Sequence, residues 1–107
     1  MRIITLCGST RFKEEYEKAN RDLTLAGNIV ISVGLFGHAD KFPLTPEQKA
    51  GLDEIHLRKI DLSDEVFVVN PGGYIGNSTM REINYAVLHG KTVRYLITQN
   101  GDLPQKE

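Results

Sequence analysis

The sequence predicts an α/β fold, a three-layer α/β/α domain with a four-stranded parallel sheet in the order 2-1-3-4, flavodoxin-like or Rossmann-like. Three observations carry this expectation. Short β-branched or apolar runs recur at 3–7, 28–33, 65–69 and 92–97, as strands of a covered parallel sheet do. Segments of helical period separate them, each long enough for a crossover between parallel strands. Two glycine-bearing turns, Gly8-Ser9-Thr10-Arg11 and Pro71 to Glu82, follow the first and third runs, where such folds build their sites.

Each element has its own local signal. Residues 3–7, Ile-Ile-Thr-Leu-Cys, form the first strand, closed by Gly8. A helix is expected from Thr10 to Ala26, with Phe12, Tyr16, Ala19 and Leu23 as its apolar stripe and Gly27 as its stop. Asn28 to Val33 is the second strand. No period holds from Leu35 to Leu44, which reads as a loop and a pocket wall, with His38 facing the pocket. Thr45-Pro46-Glu47-Gln48 carries the capping-box signature of a helix start. That helix runs to about Leu62 and places Leu52, Ile55 and Ile60 on one arc, with His56 and Lys59 among them. Either polar residue there is a snorkelling or satisfied core group, or part of a site.

Residues 65–69 make the third strand, with Asp61 and Asp64 before it as structural carboxylates at the opposite end of the sheet from the site. A third helix follows from Ser78 to Leu88, with Met80, Ile83 and Val87 as its stripe, and 92–97 is the last strand. Residues 98–107 read as a frayed tail. Right-handed crossovers favour the order 2-1-3-4, which puts the switch point between strands one and three. The two turns should therefore meet.

Composition bounds the function. One chain of 107 residues with 40% hydrophobic and 25% charged residues makes a single globular domain. A net charge of −1 without basic runs gives no reason to expect a nucleic-acid polymer or an acidic membrane as partner. The lone Cys7 offers no disulfide and no zinc spacing, and reads as a small core residue at a strand end. No metal or cofactor is expected. No apolar run approaches the ~20 residues of a membrane span or the pattern of a signal peptide, so the expected location is cytoplasmic.

The first turn offers backbone amides, two hydroxyls and the Arg11 guanidinium, the parts of an anion site. The other reading is a simple helix cap. Glu82 also has two readings. Thr79-Met80-Arg81-Glu82 fits a capping box, whereas Ser78 as cap would free the Glu82 carboxylate to act as nucleophile or base. Tyr74 can stack on a base or pack under its loop. Leu57, Tyr85 and Leu88 lie off the helical stripes and are candidates for contact with a second copy, so a homo-oligomer is expected.

Taken together, Cys7-Gly8-Ser9-Thr10-Arg11-Phe12, Ser63 to Val69, and Ser78-Thr79-Met80-Arg81-Glu82-Ile83-Asn84-Tyr85-Ala86 before His89-Gly90-Lys91 resemble the nucleoside 2-deoxyribosyltransferase family over nearly the whole chain. The resemblance implies cleavage or transfer at the N-glycosidic bond of a nucleoside or nucleoside 5′-monophosphate, through a covalent glycosyl intermediate on Glu82. It implies a substrate-binding set of Gly8, Ser9, Arg11 and Ser78, to which Thr10 in the first turn and Gly73, Tyr74 and Asn77 in the second are added. The family's two supporting aspartates are replaced here, one by Gly76. Counting back from Asp64 puts His56 at the other, as catalytic acid or orienting group. Pro71-Gly72-Gly73 is similar to a motif of phosphoribohydrolases, which belong to the same reaction class. The alternatives are a nucleotide-binding or sensing domain without turnover and a dinucleotide glycohydrolase.

Overall fold

In the computed structural model, residues 1–98 are described, and seven regular elements alternate along them. They are β1 (Ile3–Cys7), α1 (Lys13–Leu25), β2 (Ile29–Ile31), α2 (Pro46–Asp61), β3 (Glu65–Val68), α3 (Asn77–Leu88) and β4 (Thr92–Tyr95). The strands form one parallel sheet in the order β2-β1-β3-β4, as expected. Except for Thr98, the expected frayed tail lies outside the described residues.

Strand alternation divides the core between the two faces of the sheet. Leu6 and Val69 pack with Tyr16 and Ala19 of α1 on one face. Cys7, Val66 and Val68 pack with Ile60 of α2 and Ile83 and Ala86 of α3 on the other. Helices therefore cover both sides, and β1 is buried from Ile4 to Cys7. Cys7 closes β1 on the α2/α3 face.

Several local expectations shift. α1 begins at Lys13 rather than Thr10, with Phe12 as its N-cap and no side-chain cap. The Ser9 hydroxyl is used instead by the Arg11 backbone N–H and Nε, at 3.3 and 3.1 Å. β2 and β4 are shorter than their apolar runs. The end of the fourth run is held another way, since the Asn70 side chain pairs with both backbone groups of Ile97 at 2.9 and 3.0 Å.

The α2 capping box forms in both directions between Thr45 and Gln48. Of the expected α2 arc only Ile60 is fully buried, while Leu52 and Ile55 lean over a cavity. The buried face of α3 is Thr79, Ile83 and Ala86, leaving Met80 and Val87 about half exposed. Leu57 and Tyr85 pack against the core, and Leu88 alone of the three off-stripe residues stands fully in solvent. At the amino end of the sheet, Asp64 accepts the Ile3 N–H at 2.8 Å. Buried Glu65 is clamped by Arg2 and Arg94 at 2.9 and 3.0 Å.

Candidate functional site

Gly8 lets the chain leave β1 where no other residue would fit. Its φ is +146°, and a Cβ there would stand 2.5 Å from the Val69 carbonyl oxygen. The chain after β1 is therefore pressed against the chain after β3, and the two turns meet at the carboxyl ends of the central strands, as the strand order requires. Between them lies a cavity of about 480 Å³, within the range of small-molecule sites.

Gly8, Ser9, Thr10 and Arg11 line one side of this cavity, and Tyr74, Asn77 and Ser78 another. The 35–44 loop contributes a wall that includes His38 and Phe42. His38 Nδ1 is 2.7 Å from the Thr10 hydroxyl, and the loop is tied to α1 by the Lys13–Asp40 ion pair at 3.0 Å. Gly73, expected to bind substrate, is not among the lining residues. It ends a turn of 3-10 helix over Pro71–Gly73 that carries the chain past the cavity.

The anion-binding expectation changes its source. Because α1 starts only at Lys13, Gly8-Ser9-Thr10 does not present a helix end. The helix whose positive end faces the cavity is α3, which opens at Asn77 after the N-cap Gly76 without any side-chain cap. Arg11 projects from the first turn with its guanidinium 4.8 Å from the centre of the Tyr74 ring. Phe12 meets the same ring edge-on at 6.0 Å.

Glu82 is not a cap. With Gly76 as N-cap it falls in the second turn of α3, and its side chain turns inward to the cavity floor. There Glu82 Oε1 lies 3.6 Å from His56 Nε2, and that same nitrogen lies 3.2 Å from Cys7 Sγ. Three elements thus converge, with Cys7 from the end of β1, His56 from α2 and Glu82 from α3. Burial raises the Glu82 pKa to about 7, against a partly offsetting hydrogen bond with the Cys7 thiol. Burial, with Lys59 adding to it, lowers His56 to about 4, so the imidazole is neutral at pH 7. Burial and then the Glu82 charge push the Cys7 thiol well above its ordinary range.

Lys59, the other polar residue on the α2 arc, also has its reason. Its ammonium spans the cavity wall to donate to the Ser32 carbonyl at 2.8 Å, and burial lowers its pKa. Gly76 is explained by its neighbour, because a Cβ there would stand 3.2 Å from the Tyr74 hydroxyl. A larger side chain at position 76 would crowd the ring.

Two residues escaped the sequence reading. Cys7 was expected as inert core and instead touches both polar members of the floor. Asp53 lines the cavity one turn before His56 on α2, bonded to Lys49 at 2.7 Å. Comparison with models of known protein families gives no match, and a search of curated proteins gives none either.

Proposed function

We propose that this chain binds a nucleoside or its 5′-monophosphate and cleaves or transfers the N-glycosidic bond through a covalent bond to Glu82. The observation that carries the reading is the placement of Glu82. It is a glutamate with no capping partner, buried enough to titrate near 7, on the floor of a cavity whose rim offers a helix N-terminus and an arginine. The resemblance to the nucleoside 2-deoxyribosyltransferases supports the same assignment.

A Glu82 oxygen attacks the anomeric carbon, and the C–N bonding pair leaves with the base, which takes a proton from water in the cavity. Water then hydrolyses the glycosyl ester, or a second base recaptures the sugar. His56, neutral at pH 7, stands 3.6 Å from the carboxylate and flanks it on the floor, so positioning is its role and acid catalysis is not. The first amides of α3 and the Arg11 fork receive the phosphate. The Tyr74 ring supports the base or sugar from the side.

The test is release of free base from a panel of nucleosides and 5′-monophosphates, followed by chromatography. The intact chain is expected to release base and Glu82→Ala to lose at least about 10³ in rate, as for loss of a nucleophile. Equal release by both proteins, or none by either, would sink the assignment. A second reading, binding without turnover, is favoured by Gly76, which stands where the resembling enzymes carry an aspartate and where a Cβ would lie 3.2 Å from the Tyr74 hydroxyl. It predicts thermal stabilisation by nucleotide with no base released.

A further inference from the structure

We infer that Cys7, His56 and Glu82 form a binding site for one thiophilic divalent cation, of which zinc is the type, on the floor of the cavity. The donors are a sulfur, an imidazole nitrogen and a carboxylate oxygen, all within 4.8 Å of one another. A tetrahedral zinc with metal–ligand distances of about 2.0–2.3 Å sets its ligands roughly 3.3–3.6 Å apart. The observed separations are 3.2 Å between Cys7 Sγ and His56 Nε2, and 3.6 Å between His56 Nε2 and Glu82 Oε1. These two pairs need shifts of only a few tenths of an ångström, and the third, Cys7 Sγ to the Glu82 carboxylate, lies within 4.8 Å and closes by rotation of the Glu82 side chain.

The arrangement also differs from a thiol–imidazole–carboxylate relay. In a relay the carboxylate holds the ring nitrogen that the thiol does not use. Here both groups converge on Nε2 while the thiol also bonds the carboxylate, so the three form a closed triangle rather than a chain. One cation between them satisfies all three donors. On binding, the thiol and the carboxyl release their protons to solvent, so a 2+ ion meets two negative ligands and one neutral imidazole. The filled site carries no net charge, which suits a floor where a lone charge would be costly. Cys7 closes the site from beneath and is fully buried, whereas His56 and Glu82 line the cavity and leave a fourth position facing it. Three ligands and an open position are the pattern of reactive zinc sites.

Cobalt tests the site without any variant. The chelator-treated chain is titrated with Co²⁺ while the thiolate-to-cobalt charge-transfer band is followed in the near ultraviolet, with stoichiometry by equilibrium dialysis. One cobalt per chain is expected, with the thiolate band, displaced by zinc. Cys7 is the single cysteine of the chain, so any such band reports it. Cys7→Ser is expected to abolish the band, and Glu82→Gln to weaken binding by more than the roughly 10–100-fold that loss of an outer-shell partner costs. His89→Ala, at the far end of α3, should bind as the unaltered chain does. Cobalt bound without a thiolate band, no stoichiometric binding, or affinity unchanged in folded Cys7→Ser and Glu82→Gln would overturn the proposal.

One consequence rests on the role given to Glu82 above. A carboxylate bound to a cation is a weaker nucleophile, and the ion stands between it and the cavity, so zinc should strongly slow base release. If no base is released with or without metal, the glycosidic reading fails while the cobalt spectrum still decides the metal site.

Discussion

Glu82 couples the state of the site to the stability of the chain. Its carboxyl titrates near 7 when folded and near 4.5 when not. Between those values the unfolded chain has given up the proton and the folded one has not, so this group makes stability fall as pH rises through 4.5 to 7. Glu82→Gln is therefore expected to unfold at higher denaturant than the parent above pH 7, by up to about 3 kcal/mol, with the gap closing below pH 4.5. Parallel urea titrations at pH 8 and pH 4 would check it. His56 acts in the opposite sense, since a folded value near 4 against 6.5 unfolded makes stability fall as pH drops through that window. If the Glu82 carboxylate is the nucleophile, base release should climb with pH through about 7, the reverse of its effect on stability. Gly8→Ala is a different kind of change. It places a methyl 2.5 Å from a backbone oxygen at φ +146°, and should cost at least about 2 kcal/mol, near 10 °C in a thermal melt.

Among the elements, α2 shows how far local chemistry reaches. Its capping box was legible because threonine, proline and glutamine stand at the positions the motif requires, and both hydrogen bonds form. Thr45→Ala should lower stability by about 1 kcal/mol in denaturant titration without altering ligand binding. The starts of α1 and α3 were not legible, for reasons that are tertiary. Ser9, the natural cap for α1, is engaged by Arg11, so the helix waits until Lys13. α3 begins at Asn77 because Gly76 is held in extended backbone beside the Tyr74 ring, which no helix-start pattern encodes. With the cap at Gly76, three residues before Thr79, Glu82 is out of reach of a cap, and the buried face is Thr79, Ile83 and Ala86. A period of 3.6 identifies a helix well but fixes its rotation only loosely.

At the scale of the whole molecule, the strand order and the meeting of the two turns followed from crossovers and glycines that any reader of the chain can count. The floor of the cavity did not. A lone cysteine has no spacing to announce it, and Asp53 sits among solvent-facing charges whose inward tilt depends on how α2 leans across the sheet. If the cavity takes a nucleoside 5′-monophosphate as proposed, that ligand at about 100 times its Kd should stabilise the chain by about 2.7 kcal/mol, an increment that Arg11→Ala should diminish in a thermal-shift assay. The amino end of the sheet bears on the same cavity from a distance. Asp64 on the Ile3 amide, and Glu65 between Arg2 and Arg94, index β1 against β3 so that Cys7 pairs with Val68. Because alternate residues face opposite sides, a slip of one position would carry Cys7 to the α1 layer and leave His56 and Glu82 facing a leucine. The carboxylates at one edge thus act as a gauge for atoms ~13 Å away along the strand, and their loss would be read as a misaligned thiol before it was read as a weakened sheet.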